Sequence, residues 1–135
     1  ILSVAFLLDT NVVIDARDGV RSVLRKMMEH EGAVLVSALS VAELQRGLRS
    51  TDPDALGRRA RLEKLLANLP VVAFGKAQAE AYGAVLSVQG WVRGRDFDRM
   101  IAGHAISLGA TLVTNNEPDF RDIPGLAVEN WLAEA

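Results

Sequence analysis

The chain has 135 residues, half of them hydrophobic, which is enough for one domain with a well-buried core and too little for two. It holds no cysteine and only two histidines, His30 and His104, which excludes disulfide scaffolds, thiolate zinc sites, iron–sulfur clusters, cysteine nucleophiles and a histidine-rich metal site. The formal net charge of −2 argues against a surface that grips nucleic acid all over, yet twelve of the fifteen basic residues are arginine, the side chain best suited to bidentate phosphate contacts.

Taken in chain order, residues 1–8 form a near-continuous apolar run, as in a strand buried on both faces. The run lacks a basic n-region and a cleavage site, and no apolar stretch reaches the roughly 20 residues that span a bilayer. The reading is therefore a cytoplasmic domain with no membrane span. A short helix over 12–16 closes at Asp18-Gly19, and a second carries Val20, Val23, Leu24, Met27 and Met28 at helical spacing. Residues 33–37 predict a strand. Ser40-Val41-Ala42-Glu43 has the form of a capping box and predicts a helix running to about Arg49. Asp52-Pro53 predicts the start of a fourth helix, with leucines on one side and arginines on the other, ended by Pro70. A strand over 71–74, a helix over 77–89 and a break over 90–94 follow. Asp96 or Asp98 caps a helix to Leu108, which Gly109 ends; residues 111–114 form a strand, 115–122 a loop and 126–129 a short edge strand. This alternation predicts an α/β domain with a parallel sheet and helices on both faces.

In such sheets ligands bind beyond the carboxyl ends of the strands. Asp9-Thr10-Asn11 follows the first strand, Ser37 and the helix with Glu43 the second, and Thr114-Asn115-Asn116 with Asp119 the fourth, while Asp96 and Asp98 open the helix that feeds it. Singly, each acid has a local explanation: Asp9 as a helix cap, Glu43 as the partner of Ser40, Asp96 or Asp98 as a cap, Asp119 as a turn residue. Gathered on one rim they would repel one another unless a cation is present, and hard oxygen donors suit magnesium or manganese. No Gly-x-Gly-x-x-Gly or phosphate-binding P-loop appears, nor a serine-hydrolase elbow. Asn11 stands where a haloacid-dehalogenase-type phosphatase needs its second aspartate. A receiver-type signalling domain lacks its acceptor aspartate and its lysine.

Four segments resemble the motifs of PIN-domain ribonucleases: Leu7-Leu8-Asp9-Thr10-Asn11-Val12-Val13-Ile14-Asp15, Ser40-Val41-Ala42-Glu43-Leu44-Gln45-Arg46-Gly47, Phe97-Asp98-Arg99-Met100-Ile101-Ala102-Gly103-His104-Ala105, and Leu112-Val113-Thr114-Asn115-Asn116-Glu117-Pro118-Asp119-Phe120. Their order over nearly the whole chain is similar to the VapC-like toxins of type II toxin–antitoxin systems. The resemblance implies a PIN-like three-layer sandwich over residues 1–135, with a central, mostly parallel sheet flanked by helices. It implies an endoribonuclease dependent on Mg2+ or Mn2+, with Asp9, Glu43 and Asp98 matching the principal acids. Asp119 supplies the fourth carboxylate, or Asn116 positions a metal-bound water where many members carry an acid. Thr10, Asn11 and Thr114 support the site, Asp96 is an outer charge or helix cap, and Arg46, Arg95 and Arg99 are candidates for RNA phosphate contacts. His104 reads as a packed helix residue, and Trp91 and Trp131 as buried or interface residues before base-stacking ones. The partners implied are RNA, a second copy of the chain, and a small antitoxin whose basic side chain enters the acidic groove, with the helix after Pro53 helping to form it. An alternative is a catalytically impaired PIN-like module that binds RNA or protein.

Overall fold

Five parallel strands run through the centre of the computed structural model, which describes residues 4–49 and 51–132. They are β1 (Phe6–Leu8), β2 (Val34–Ser37), β3 (Val71–Val72), β4 (Thr111–Val113) and β5 (Val128–Glu129), in the order β3-β2-β1-β4-β5. β1 is central: Leu7 stands opposite Leu35 of β2 and Leu112 of β4. Parallel neighbours need crossovers, supplied here by α1 (Thr10–Arg17), α2 (Arg21–Glu29), α3 (Ala38–Leu44), α4 (Ala55–Leu66), α5 (Lys76–Gln89) and α6 (Asp96–Leu108).

Alternation along the strands builds two cores. Phe6, Leu8, Val34, Val36 and Val113 pack with Val12 and Val13 of α1, Val23 of α2 and Leu62 of α4. Leu7 and Leu112 face the other way, against Val85 of α5, Ile101, Ala102 and Ala105 of α6, and Phe120 and Ile123. The three-layer sandwich expected from the sequence is the architecture observed. Among the described residues no helix is long and apolar enough to cross a membrane.

Several boundaries differ from expectation. The first strand is shorter, and residues 1–3 of the expected run lie outside the described residues. Ser40 does not cap α3: Ser37 does, its Oγ accepting from the Leu39 amide at 3.0 Å, so Ser40 falls inside the helix, fully buried. Freed from the cap, Ser40 Oγ accepts from Thr10 Oγ1 at 3.0 Å, tying α3 to α1. The α-helix ends at Leu44 and tightens to a 3-10 turn over Gln45–Arg49. Neither Asp96 nor Asp98 caps α6. Arg95 holds that position, and both acids lie in the first turn. Asp52 and Pro53 precede α4 rather than opening it, and Asp52 accepts from the Asp54 amide at 2.9 Å. β3 and β5 are two residues each, because little more of either segment pairs with its neighbour.

The carboxyl end of α6 behaves as read. Gly109 takes the left-handed conformation (φ 64°), which lets Ala110 donate to the Ala105 carbonyl and Gly109 to that of Ile106. Inside α6, Gly103 lets the backbone of α5 come close: a Cβ there would lie 2.7 Å from the Tyr82 amide nitrogen. Trp131 is core, with its ring centroid 5.4 Å from Phe6 and 5.7 Å from His30.

Candidate active site

The strand order reverses direction at β1 and β4, the place where a doubly wound sheet opens a crevice beyond its carboxyl ends. Asp9 leaves β1 there and Thr114 leaves β4. Thr114 Oγ1 donates to Asp9 Oδ2 at 2.9 Å, and the Thr10 amide donates to Oδ1 at 2.8 Å. Asp9 is thus the cap of α1 and also a wall of the crevice, so its two readings are not rivals. Glu43 arrives on the last turn of α3, Asp98 on the first turn of α6 and Asn116 on the loop after β4. With Thr10, Asn11 and Arg17 these side chains line one cavity of about 300 Å³.

The acids feel one another. Burial, ahead of all else, pushes the Asp9 carboxyl up to about 6; the bonds from Thr114 and Thr10 pull it down, and the charges of Asp98 and Glu43 add to the rise. Asp98 is also raised, first by burial and then by the charge of Asp119, with Glu43 adding to it while Arg95 and Arg99 oppose. The amino end of α6 favours an ionised Asp98, but burial and like charge outweigh it.

The remaining charged candidates from the sequence, Asp96, Asp119, Arg46, Arg95 and Arg99, do not line this cavity. Asp119 bonds to Arg95 at 2.6 Å and to the side-chain amide of Asn116, so Asn116 stands on the wall with Asp119 behind it. Arg95 is thereby engaged by an acid, Arg46 lies exposed on the 3-10 turn beside the lining residue Gly47, and Arg99 is buried with its Nη1 unpartnered. Asp96 faces outward, accepting from Tyr82 Oη at 3.1 Å and from the indole of the exposed Trp91 at 2.8 Å. His104 is fully buried, 2.9 Å from Ser37 Oγ through Nδ1 and edge-on to Phe74.

Three contributors escaped the sequence reading. Arg17 lines the cavity from the end of α1, Ser40 fixes Thr10, and Asp15 accepts from Asn115 Nδ2 at 2.6 Å across the same rim. Asp15 was visible, six residues after Asp9, but only the α1 helix shows that it turns toward the β4 loop.

Whether the donors suit a divalent ion follows from their chemistry. Among the described residues no three acidic or histidine side chains stand close enough to form a ligand cage by themselves. Magnesium does not need one, since it keeps several waters and takes one or two carboxylates. Oxygen donors only, with two carboxyls whose proton affinity is raised by burial and by neighbouring negative charge, fit such an ion.

Topology and site together define a doubly wound α/β domain with an acidic ligand crevice at its switch point. The chain matches the PIN domain family over residues 6–126. It is 34% identical over 131 residues to the tRNA(fMet)-specific endonuclease VapC of Shigella flexneri, covering 93% of this chain and 97% of that one. It is 32% identical over 133 residues to ribonuclease VapC2 of Rickettsia felis, with coverages of 93% and 97%. The crystal structure of VapBC2 from Rickettsia felis bound to a DNA fragment from their promoter has the same fold, with a TM-score of 0.82 at 30% identity over 94% of this chain and 98% of that one. The chain belongs to the PIN-domain family, among the VapC ribonucleases.

Proposed function

We propose that this chain, acting as one PIN domain over residues 1–135 in the cytoplasm, is the endoribonuclease toxin of a toxin–antitoxin pair and hydrolyses RNA phosphodiesters with Mg2+ or Mn2+. The observation that carries the reading is the convergence of Asp9, Glu43 and Asp98, from three separate segments, on one cavity at the sheet's switch point. The tRNA(fMet) specificity of the Shigella flexneri relative makes transfer RNA the first substrate to test.

Asp9 and Asp98 would hold the ion, with Asn116 completing the site from the wall and Asp119 acting through it. Bound there, a divalent cation supplies Lewis acidity to a phosphoryl oxygen and lowers the proton affinity of water. Glu43, which lines the same cavity, would accept the proton of the attacking water at its carboxylate. Thr114 and the Thr10 amide fix the two oxygens of Asp9, and Ser40 fixes Thr10.

Cleavage of bacterial RNA by the purified, antitoxin-free protein should require added Mg2+ or Mn2+ and stop with a chelator. Cleavage that persists in chelator would remove the metal from the reading. Binding without cleavage would favour a second reading, an impaired RNA- or protein-binding module, which an amide rather than an acid at Asn116 supports. Thr114→Val tests the support of Asp9. It removes a bond that lowers the Asp9 carboxyl, so the carboxyl rises and activity is lost at a higher pH on acidification. The acidic limb of the pH–rate profile should move up by about one unit. An unmoved limb would show that Asp9 does not set it.

The antitoxin has a second place to rest. α1, α2 and α4 enclose an apolar groove of about 430 Å³ lined by Leu24, Met27, Leu65 and Leu69, with Arg61 and Lys64 beside them. A small antitoxin laid along it would send a basic side chain into the neighbouring acids. Pairing with a second copy is part of the same proposal, and the exposed Val88, Trp91 and Val92 after the middle of α5 offer apolar surface for it.

A further inference from the structure

Among the described residues that line the acidic cavity, Arg17 is the one cation. An RNA strand brings negatively charged phosphate to a wall of carboxylates, and that repulsion has to be offset at the wall. An ion held by the acids answers part of it. A guanidinium built into the wall answers it before any ion arrives.

Arg17 closes α1. Its Nε and Nη2 donate to Asp18 Oδ1 and Oδ2 at 2.9 and 3.2 Å, the two-point fork that a guanidinium offers to carboxylate and phosphate alike. These are its hydrogen bonds among the described residues, and none goes to Asp9, Glu43 or Asp98. Its positive charge is therefore paired with Asp18 and with none of the three acids of the cavity. The Arg17 side chain is 11% exposed and that of Asp18 45%; Arg17 borders both the acidic cavity and the apolar groove beside it, and Asp18 lines neither.

Asp18 does not depend on Arg17 alone. Arg61 Nη2 lies 4.0 Å from Asp18 Oδ1. The Asp18 carboxyl is held below its ordinary value first by the bond from Arg17, with the charges of Arg61 and Arg58 also lowering it. If a phosphate takes the Arg17 fork, the half-exposed Asp18 keeps Arg61 at ion-pair distance and the more remote charge of Arg58, which itself pairs with Asp52. We infer that Arg17 binds a phosphate of the RNA substrate in this cavity, and that Asp18 occupies the same fork when RNA is absent. The inference rests on the ribonuclease reading and adds to it the residue that receives the substrate's charge.

The test uses the full chain carrying Asp9→Asn, which should bind RNA without cutting it, with unfractionated bacterial transfer RNA as the probe, titrated between about 50 and 200 mM salt. Adding Arg17→Ala should weaken binding about tenfold at low salt and flatten the slope of log affinity against log salt by about 0.7 to 0.9, the signature of one lost phosphate contact. Arg17→Lys should keep the slope and lose part of the affinity, because the charge stays and the fork goes. Arg61→Ala removes a cation that lines the groove and not the cavity, and should leave the slope at its parental value. An unchanged slope for Arg17→Ala overturns the inference, and so does an equal flattening by Arg61→Ala. A purely local ion pair with Asp18 would move neither slope. If the Asp9→Asn parent shows no salt-dependent binding, the ribonuclease reading fails first and the inference falls with it.

Discussion

Asp9→Asn is expected to abolish RNA cleavage and, near pH 8, to make the protein harder to unfold. The second half follows from burial. Asp9 is 6% exposed, and that burial lifts its carboxyl from 3.8 to about 6 in the folded chain. Between those values the folded protein holds a proton that the unfolded chain has released. The contribution of Asp9 to stability is therefore greatest below about pH 4, falls as pH rises toward 6, and stays reduced above it. The shift corresponds to at most about 3 kcal/mol. Asparagine has no charge to bury and keeps an oxygen for the Thr10 amide. Thermal unfolding of the two proteins should coincide near pH 4 and diverge near pH 8, the variant unfolding later. Added Mn2+ should narrow the gap by stabilising the wild type. Cleavage should fall about a thousandfold or more, because losing a ligand removes several kcal/mol of charge stabilisation. Parental cleavage by the folded variant would take Asp9 out of the reaction. Equal stability near pH 8 would show that the buried carboxylate carries no cost.

Gly103→Ala should destabilise the fold, against the usual effect of such a change. In an open helix the substitution gains about 1 kcal/mol from backbone entropy. Here the new Cβ would meet the Tyr82 amide nitrogen at 2.7 Å and its Cα at 2.9 Å, closer than carbon is found to these atoms. Both obstacles are main chain, which no rotamer change can clear. α6 and α5 must then part, at an overpacking cost of about 1–3 kcal/mol or more. The same movement carries Asp98, on the first turn of α6, away from Asp9. The urea midpoint should drop with an unchanged slope, and cleavage should drop beyond what the lost folded fraction explains. A midpoint at or above that of the wild type would show that the two helices separate freely.

The layers and the convergence of Asp9, Glu43 and Asp98 on one rim could be read from the sequence because they lie where local pattern and topology agree. The apolar run at Phe6–Leu8 is buried on both faces, and its end at Asp9 marks the crevice. Helix starts were less legible. Ser40 and Glu43 have the spacing of a capping box, but Ser37, three residues earlier, also carries a hydroxyl, and only the end of β2 decides which residue leaves the strand first. Asp119 and Asn116 are adjacent in motif and distinct in place, because the 3-10 turn over Glu117–Asp119 swings the acid onto Arg95. Arg17 carried no signal at all: it ends a helix beside Asp18, and only the packing of α1 brings it to the border of the crevice.

The order of the strands also bears on how a cell survives making such a protein. Asp9 and Thr114, bonded in the finished site, are 105 residues apart, and β1 lacks its β4 neighbour until both segments have left the ribosome. Asp98 likewise emerges late, on the helix just before β4. A nascent chain can display Asp9 and Glu43 long before it owns anything able to cut. Cleavage is thereby withheld by chain order alone until β4 and the helix before it have been made.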